Sequence, residues 1–340
     1  MNKNIAILIL FILIINLIAL TGVNCEAGKI LYVGGTGTGN YSCIQNAIYN
    51  ASNGDTILVF LGFYNESIIV NKTIDLIGKN KNNTIIDTNN SFYCAILIQA
   101  QNISISGFTI QNNTVGIYVV GYETLSENNT ITNNIFRTND CGIYLSNLTC
   151  CTLIHRNIIS NNHGEGIRLY GSNNNIIEGN AINKNGGFGI AIWDSSNNNL
   201  LKNNIIAENL KGITLRRWCN NNIILENEIL KNQKAGISLT YSFYNNLSKN
   251  YIMNNSFGLS VGDSSENIIY NNNFSGNNQG IYLYDSPNNT IEQNNIFYRN
   301  NQDIWDGSRT IKTPGFELPA VIFLILLVFL FKRKRNVYQQ

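Results

Sequence analysis

The sequence predicts an all-β fold, a parallel β-helix with about 22 to 24 residues in each coil. Two observations predict it. Short alternating apolar segments recur after glycines along the chain, and each unit contains short strands and turns without helical spacing. Stacked coils of this kind lie about 4.8 Å apart. The glycines that mark the repeat, with aspartate in the last such position, are Gly116, Gly142, Gly166, Gly189, Gly212, Gly236, Gly258, Gly280 and Asp303.

Aliphatic residues fall at the same places in successive units and are expected to stack inside the coils. One column contains Ile143, Ile167, Ile190, Ile213 and Ile237, and a second contains Leu145, Leu169, Ile192, Leu215 and Leu239. A leucine-rich-repeat horseshoe is the alternative fold at this period. Its L-x-x-L-x-L-x-x-N consensus is missing from the sequence, so the β-helix is favoured.

Asparagines keep step with the glycines and are interpreted as structural. Asparagine tolerates left-handed backbone at tight turns, and amides one coil apart can hydrogen-bond as a ladder. The predicted ladder consists of Asn134, Asn157, Asn180, Asn204, Asn227, Asn250, Asn272 and Asn294.

Before the regular coils, Ile44, Ala47, Ile48 and Ala51 share one helical face. A helix here would cover the open N-terminal edge of the coils. Strands are expected at 56–60, 67–70 and 73–77. This opening and the Asn/Gly repeats after it resemble the NosD-like, pectate-lyase-like right-handed β-helix superfamily over residues 29 to 305. The resemblance implies a right-handed helix that binds or processes carbohydrates, and its NosD branch is linked to copper delivery.

The first 27 residues have the features of a signal peptide: a basic start at Lys3, an apolar run over 5–20 and small residues near Ala27. The β-helix domain is therefore assigned to residues 28–312. We expect this domain to be exported and to lie on the extracellular face of the cell envelope.

Residues 313–340 contain an apolar run over 316–331 followed by a basic cluster over 332–335. The segment resembles the PGF-type sorting signals of archaeal surface proteins, with Pro314, Gly315 and Phe316 as the tripeptide. The resemblance implies cleavage by an archaeosortase and replacement by a lipid anchor. The alternative is a retained transmembrane anchor, and in both cases the protein is held at the membrane.

The charge balance and the metal-binding residue types exclude several functions. A net charge of +2 from few charged residues argues against nucleic-acid binding. Neither His155 nor His163 has a histidine partner at coil spacing, so no metal site is predicted. An exported protein permits disulfides, but the spacing of its cysteines does not define pairs.

In each glycine-initiated strand, the second and fourth residues after glycine are expected to face outward. Over three coils and the adjoining turns this places arginines beside aromatic residues, which suits sugars that carry carboxylates or sulfates. Scattered surface aromatics are the alternative interpretation. The predicted ligand-binding residues are Arg168, Tyr170, Trp193, Arg216, Arg217, Trp218 and Tyr241.

Asp263 and Asp285 occupy equivalent positions on adjacent coils, at a separation like that of glycosidase carboxylates. Each also opens a similar polar turn, as Asp194 does, and that interpretation is favoured. These two aspartates, with Arg216 and Arg217, are the weak catalytic candidates.

The sequence therefore favours an exported surface protein that binds glycans or forms part of the envelope, without catalysis. The first alternative is a lyase, epimerase or hydrolase of acidic polysaccharide, and the second is a NosD-like copper-related accessory protein. A purely structural envelope or adhesion protein is a further hypothesis. No cofactor is predicted, and calcium is expected only if the protein is a lyase.

Overall fold

A computed structural model describes residues 28–121 and 126–307. The predicted signal peptide and the sorting tripeptide Pro314, Gly315 and Phe316 lie outside these ranges. Within them, no helix is both long and apolar enough to cross a membrane. The described residues form a parallel β-solenoid of about twelve coils, so the predicted fold class is confirmed.

Three long parallel sheets, here called A, B and C, run along the solenoid, and each coil contributes one strand to each sheet in turn. Sheet A has its described strands at Ile30–Val33, Thr56–Val59, Asp75–Gly78, Ser104–Ser106, Thr130–Thr132, Leu153–His155, Ile176–Glu178, Leu200–Lys202, Ile223–Leu225, Asn246–Ser248, Ile268–Tyr270 and Thr290–Ile291. Sheet B has them at Gly62–Tyr64, Thr84–Asp87, Thr109–Gln111, Ile135–Arg137, Ile158–Ser160, Ala181–Asn183, Ile205–Ala207, Glu228–Leu230, Tyr251–Met253, Asn273–Ser275 and Ile296–Tyr298. Sheet C has them at Ile68–Val70, Cys94–Ile98, Val115–Val119, Cys141–Leu145, Ile167–Tyr170, Phe188–Trp193, Lys211–Arg216, Ala235–Thr240, Phe257–Gly262, Gln279–Tyr284 and Gln302–Asp306. A small extra pair joins Ser126–Glu127 to Thr149–Cys150.

The core is a set of aliphatic columns. The predicted column through Ile190 is confirmed, because Ile167 pairs with Ile190 and Ile190 with Ile213 in parallel register. The middle residues of the sheet A and sheet B strands, such as Ile177 and Ile182, are also fully buried. Each such side chain contributes roughly 1.5–3 kcal/mol by burial, so the rod is held together evenly along its length.

The repeat glycines begin the sheet C strands on the inner side. A Cβ on Gly212 would lie 2.4 Å from the carbonyl oxygen of Gly236 and 2.7 Å from Cγ2 of Ile229. Both Gly212 and the core residue Ile213 thus face inward, and the strict alternation of the strand is broken at this point. The residue before the glycine, Lys211, therefore faces outward.

Asparagine ladders tie successive coils together at the turns. The Oδ1 atom of Asn204 accepts hydrogen bonds from the backbone N and from Nδ2 of Asn180, both at 3.0 Å. Its own Nδ2 donates to the carbonyl of Ile177 at 2.8 Å and to Oδ1 of Asn227 at 3.0 Å. Each buried amide thereby satisfies backbone groups that a turn would otherwise leave unpaired.

The ladder through Asn134, Asn157, Asn180, Asn204, Asn227, Asn250 and Asn272 continues to Asn295. The assignment of Asn294 to this ladder was wrong by one residue. An additional residue after Glu292 shifts the column, and Asn294 instead accepts from the backbone N of Asn271 near the surface.

Two further ladders run through the described residues at the other two turns. Between sheets B and C, the members are Asn113, Asn139, Asn162, Asn185, Asn209, Asn232, Asn255, Asn277 and Asn300. Between sheets C and A, they are Asn129, Asn175, Asn199, Asn222, Asn245, Asn267 and Asn289. Thr152 interrupts the last ladder, and its buried Oγ1 has no hydrogen-bond partner.

The N-terminal end is closed by the predicted helix, which spans Ile44–Asn50. Ile44, Ala47 and Ile48 are fully buried against the first coils. The carboxylate of Glu66 accepts hydrogen bonds from the backbone N of Ile44 at 2.8 Å and of Gln45 at 3.0 Å. An acidic group at this end satisfies otherwise free helix N–H groups, so the helix is fixed as a cap.

Candidate functional site

The outer face of sheet C has a row of small side chains along the solenoid axis. Ala191, Thr214, Ser238 and Ser260 are register neighbours on four successive coils. Although they face away from the core, Thr214 is only 4 % exposed and Ser238 only 3 % exposed. Larger side chains on both sides must therefore cover them. We call this row and its borders the trough.

Large residues form the two walls of the trough. The residues before the repeat glycines, including Phe188, Lys211 and Phe257, line one side, while Trp193 and Arg216 line the other. The rings of Phe188 and Trp193 meet edge to face across Ala191 with centroids 6.0 Å apart. Towards Ser260 the trough is more open.

Stacked side chains close the two ends of the trough. At the C-terminal end, the rings of Tyr282 and Trp305 are parallel, with centroids 4.5 Å apart. At the N-terminal end, the rings of Tyr118 and Tyr144 stack with centroids 4.9 Å apart. The site is therefore an aromatic-bordered recess that extends over several coils.

Arg168 belongs to the N-terminal closure. Its guanidinium lies 5.0 Å from the Trp193 ring centroid and 5.3 Å from that of Tyr144. It also forms an ion pair with Glu165, which is largely buried. Cation–π contacts with two rings and an internal carboxylate hold this arginine in place. Arg168 thus shapes the end of the trough, and its charge is already matched within the protein.

Three other predicted site residues lie on the turns between sheets C and A, beside the Arg216 wall. Trp218 is 58 % exposed, and its ring lies 5.6 Å from that of Phe243. Arg217 reaches Asp194 on the preceding coil at 3.5 Å, and Tyr241 follows on the next coil. We call Arg217, Trp218 and Tyr241 the turn ridge.

The backbone of the turn ridge is unusual for the residues it carries. Arg217 and Trp218 have φ values of 64° and 63°, and Asp194 and Ser195 in the preceding coil have 52° and 61°. The fold therefore requires left-handed backbone in both turns. Small polar residues adopt it readily, whereas a bulky tryptophan does so at a cost. Trp218 therefore presents its exposed ring from a backbone conformation that a bulky residue disfavours.

The predicted residues are brought together in part. Tyr170, Trp193 and Arg216 are direct register neighbours in one outward row, and Arg168 contacts Trp193. The turn ridge continues from Arg216. The opposite wall, Phe188 and Lys211, was not predicted, because outward positions counted forward from each glycine leave out the residue before it.

Hydrogen-bond donors outnumber acceptors around the trough. Among the described residues, Arg168 Nε, Trp193 Nε1 and Thr214 Oγ1 are buried without a hydrogen-bond partner. Lys211 Nζ donates to Ser238 Oγ at 3.3 Å. Burial, together with the positive charges of Lys234 and Arg216, lowers the pKa of Lys211 below its usual value. The recess therefore favours a ligand that supplies acceptor oxygens.

The candidate aspartates lie outside the trough. Asp263 and Asp285 open equivalent turns on adjacent coils, with φ values of 49° and 44°. Left-handed backbone is a conformation that aspartate tolerates in turns. Both positions are accounted for by the turn itself, as with Asp194.

The cysteines in the described part of the chain are free thiols. Cys94 and Cys141 face the same side of sheet C, but Val115 lies between them in register. Burial raises the pKa of Cys141 to about 12 and that of Cys94 to about 11. These two thiols are packing residues beside the closed end of the trough.

Comparison with known proteins agrees with this architecture. Residues 148–296 match a family model described as a right handed beta helix region. The fold is a right-handed parallel β-helix. Residues 48–213 match the model of the periplasmic copper-binding protein NosD. No curated protein matches the chain.

Solved structures with this fold include two mannuronan C-5 epimerase A-modules from Azotobacter vinelandii. AlgE6 has a TM-score of 0.69 at 16 % identity and covers 78 % of this chain and 91 % of its own. AlgE4 has a TM-score of 0.65 at 16 % identity, with 79 % and 93 % covered. The DFA-IIIase from Arthrobacter chlorophenolicus A6 has a TM-score of 0.63 at 14 % identity, with 87 % and 88 % covered. At these identities the similarity concerns the fold alone.

The side chains that could bind copper in this chain are scattered over the described residues. Within residues 28–121 and 126–307, no three His, Cys, Asp or Glu side chains are grouped so that they could hold a metal ion. His155 Nδ1 contacts the carbonyl of Glu178, and His163 Nδ1 lies 3.4 Å from Asp140 on an exposed surface. These donors do not fit a copper centre within the described residues.

Proposed function

We propose that this protein binds glycans in the trough of sheet C and along the adjoining turn ridge. The observation that carries the proposal is the aromatic-bordered recess in which buried donors lack acceptors. Aromatic faces pack against the apolar faces of sugar rings, while hydroxyl and acidic groups of a glycan supply acceptor oxygens. Trp218, which has left-handed backbone and an exposed ring beside the recess, extends the same surface.

The proposed setting is the outer face of the cell envelope. The NosD family model is described as periplasmic, which favours export. The signal-peptide pattern over 1–27 and the sorting signal at Pro314, Gly315 and Phe316 predict export followed by archaeosortase processing and membrane anchoring. The partners would then be extracellular or cell-surface glycans.

A glycan array with the purified β-helix protein tests the proposal. We expect wild-type protein to bind a defined subset of glycans and Trp193→Ala to lose at least tenfold in affinity. Tyr251→Ala is the matched control, because Tyr251 is 54 % exposed but belongs to sheet B. Absence of binding across the array, or equal binding by Trp193→Ala, would contradict the proposal and favour a structural envelope role.

A polysaccharide lyase, epimerase or hydrolase is the second candidate. It is favoured by the long outer groove on a fold shared with the mannuronan C-5 epimerase modules. The array-positive acidic glycans would be incubated with the protein, with and without calcium. New reducing ends, unsaturated sugars or altered uronate configuration would establish catalysis. Comparison of Asp263→Asn and Arg216→Ala would then show whether the turn aspartates or the wall arginine contribute.

A further inference from the structure

The most unusual charge in the trough is Lys211. Its ammonium lies within the recess, 6.0 Å from the Phe188 ring centroid and 3.3 Å from Ser238 Oγ. Within the described residues, no carboxylate forms an ion pair with it, whereas Arg168 and Arg217 each have an acidic partner. A partly buried cation without a counter-ion is costly unless an anion joins it.

The floor of the trough carries two hydroxyl groups close to Lys211 in the fold, and one of them contacts its ammonium. Thr214 lies in the same strand and is register neighbour to Ser238 on the next coil. The buried Oγ1 of Thr214 has no partner, and Ser238 Oγ accepts from Lys211, which leaves its own proton available for donation. An ammonium with one hydroxyl donor in contact and another on its own strand is an arrangement that suits an oxyanion.

Resting on the proposed glycan-binding function, we propose that Lys211, Thr214 and Ser238 form an anion subsite that holds the carboxylate or sulfate group of a sugar residue. The three groups face outward from neighbouring strands of sheet C, while the aromatic walls contact the sugar ring. Lys211 is the specificity-determining residue of the subsite. Arg168 is excluded from this role because Glu165 already neutralises it.

The subsite is also expected to respond to pH. Lys211 loses its proton at a lower pH than an ordinary lysine, because burial and the charges of Lys234 and Arg216 lower its pKa. Anion binding requires the charged ammonium, so affinity should fall as the pH rises through this lowered value. In Lys211→Arg the guanidinium stays charged, and the fall should disappear.

The test uses calorimetric titration with three oligosaccharide probes: an oligogalacturonate, its fully methyl-esterified form and a sulfated galactose oligosaccharide. The esterified probe keeps the backbone and removes the charge. We expect Lys211→Met to weaken binding of both charged probes by at least tenfold and to change binding of the esterified probe less than twofold. Lys211→Arg should retain binding. The control is Lys202→Met on sheet A, and circular dichroism checks that each variant is folded.

The two charged probes also show whether the anion bound at the subsite is a carboxylate or a sulfate ester. Preference for oligogalacturonate assigns a carboxylate ligand, and preference for the sulfated probe assigns a sulfate ester. Equal losses for charged and esterified probes in Lys211→Met, or no loss at all, would overturn the subsite while glycan binding itself stands.

A second measurement does not depend on an oligosaccharide. Wild-type protein and Lys211→Met are titrated with glucuronate, glucose and inorganic sulfate while the Thr214 amide is followed by NMR. A shift with the two anions but not glucose, lost in Lys211→Met, supports the subsite even if the glycan array is empty. No anion-dependent shift in wild-type protein overturns it.

Discussion

The interior turns repeat the same side chain from coil to coil, whereas the outer face of sheet C changes its side chains from coil to coil. Along a ladder such as Asn180–Asn204–Asn227, every coil repeats the same side chain and the same bonds. On the outer face, the row that begins at Tyr170 changes at each coil to Trp193 and then Arg216. Repetition identifies what the fold requires, and departure from repetition identifies what the fold leaves free for binding.

Two consecutive turns between sheets C and A show the same contrast within a single type of turn. Asp194–Ser195 and Arg217–Trp218 share the same left-handed backbone, so they differ only in side chains. In the first, the side chains suit the backbone. In the second, the backbone is the same but the side chains disfavour it, which supports our proposal that the turn ridge takes part in binding.

Breaking a ladder should have the largest effect on stability. Asn204→Ala removes the acceptor for two donors of Asn180 and the donor to Ile177. We expect a loss of roughly 2–3 kcal/mol in the free energy of unfolding, because buried polar groups lose their partners. Chemical denaturation measures it. The control is Asn198→Gly, an exposed left-handed position, and an equal loss there would contradict the ladder account.

Replacing the turn ridge should separate stability from binding. The double variant Arg217→Asn with Trp218→Ser suits the left-handed backbone better, so we expect unfolding free energy to rise by about 1 kcal/mol. Glycan affinity should fall about tenfold, which corresponds to about 1.4 kcal/mol. Denaturation and calorimetric titration are run on the same samples. A destabilised variant with unchanged glycan affinity would show that the turn ridge has a structural role and no role in binding.

Repairing an interrupted ladder should have the smallest effect. Thr152→Asn would place an amide between Asn129 and Asn175, where the threonine hydroxyl is buried without a partner. We expect a gain of about 1 kcal/mol. Thr152→Val controls for simple removal of the hydroxyl. If valine stabilises as much as asparagine, the ladder bonds themselves contribute little at this position.

Much of the fold could be predicted from the sequence, because each structural requirement of a coil recurs at the same position in every repeat. The spacing predicted the stacked columns, the cap and one ladder. It missed the strands Ile30–Val33 and Gly62–Tyr64, which precede the regular repeat. It also missed two ladders, because in a run such as Asn197, Asn198 and Asn199 only the last is buried, and letters alone do not show which amide faces inward.

The site was less predictable, for a specific physical reason. The wall formed by Trp193 and Arg216 could be predicted, because side chains after the glycine alternate between the inner and outer faces of the strand. Lys211 and Phe188 precede the glycine at which alternation fails, so their outward direction depends on the close approach of Gly212 to the next coil. The pairing of Arg168 with Glu165 is similarly a matter of side-chain packing, and a pattern of residue types does not specify it.

The ladders have a consequence for how such a chain can change over time. Within a ladder, the asparagines of each coil bond only to the coil before and the coil after it, with the same amides on both sides. Deleting residues 189–211 would join Phe188 to Gly212 and bring every column back into register, with the rod shortened by about 4.8 Å. Whole coils are therefore units that recombination can add or remove, and the length of the recess can evolve separately from its chemistry.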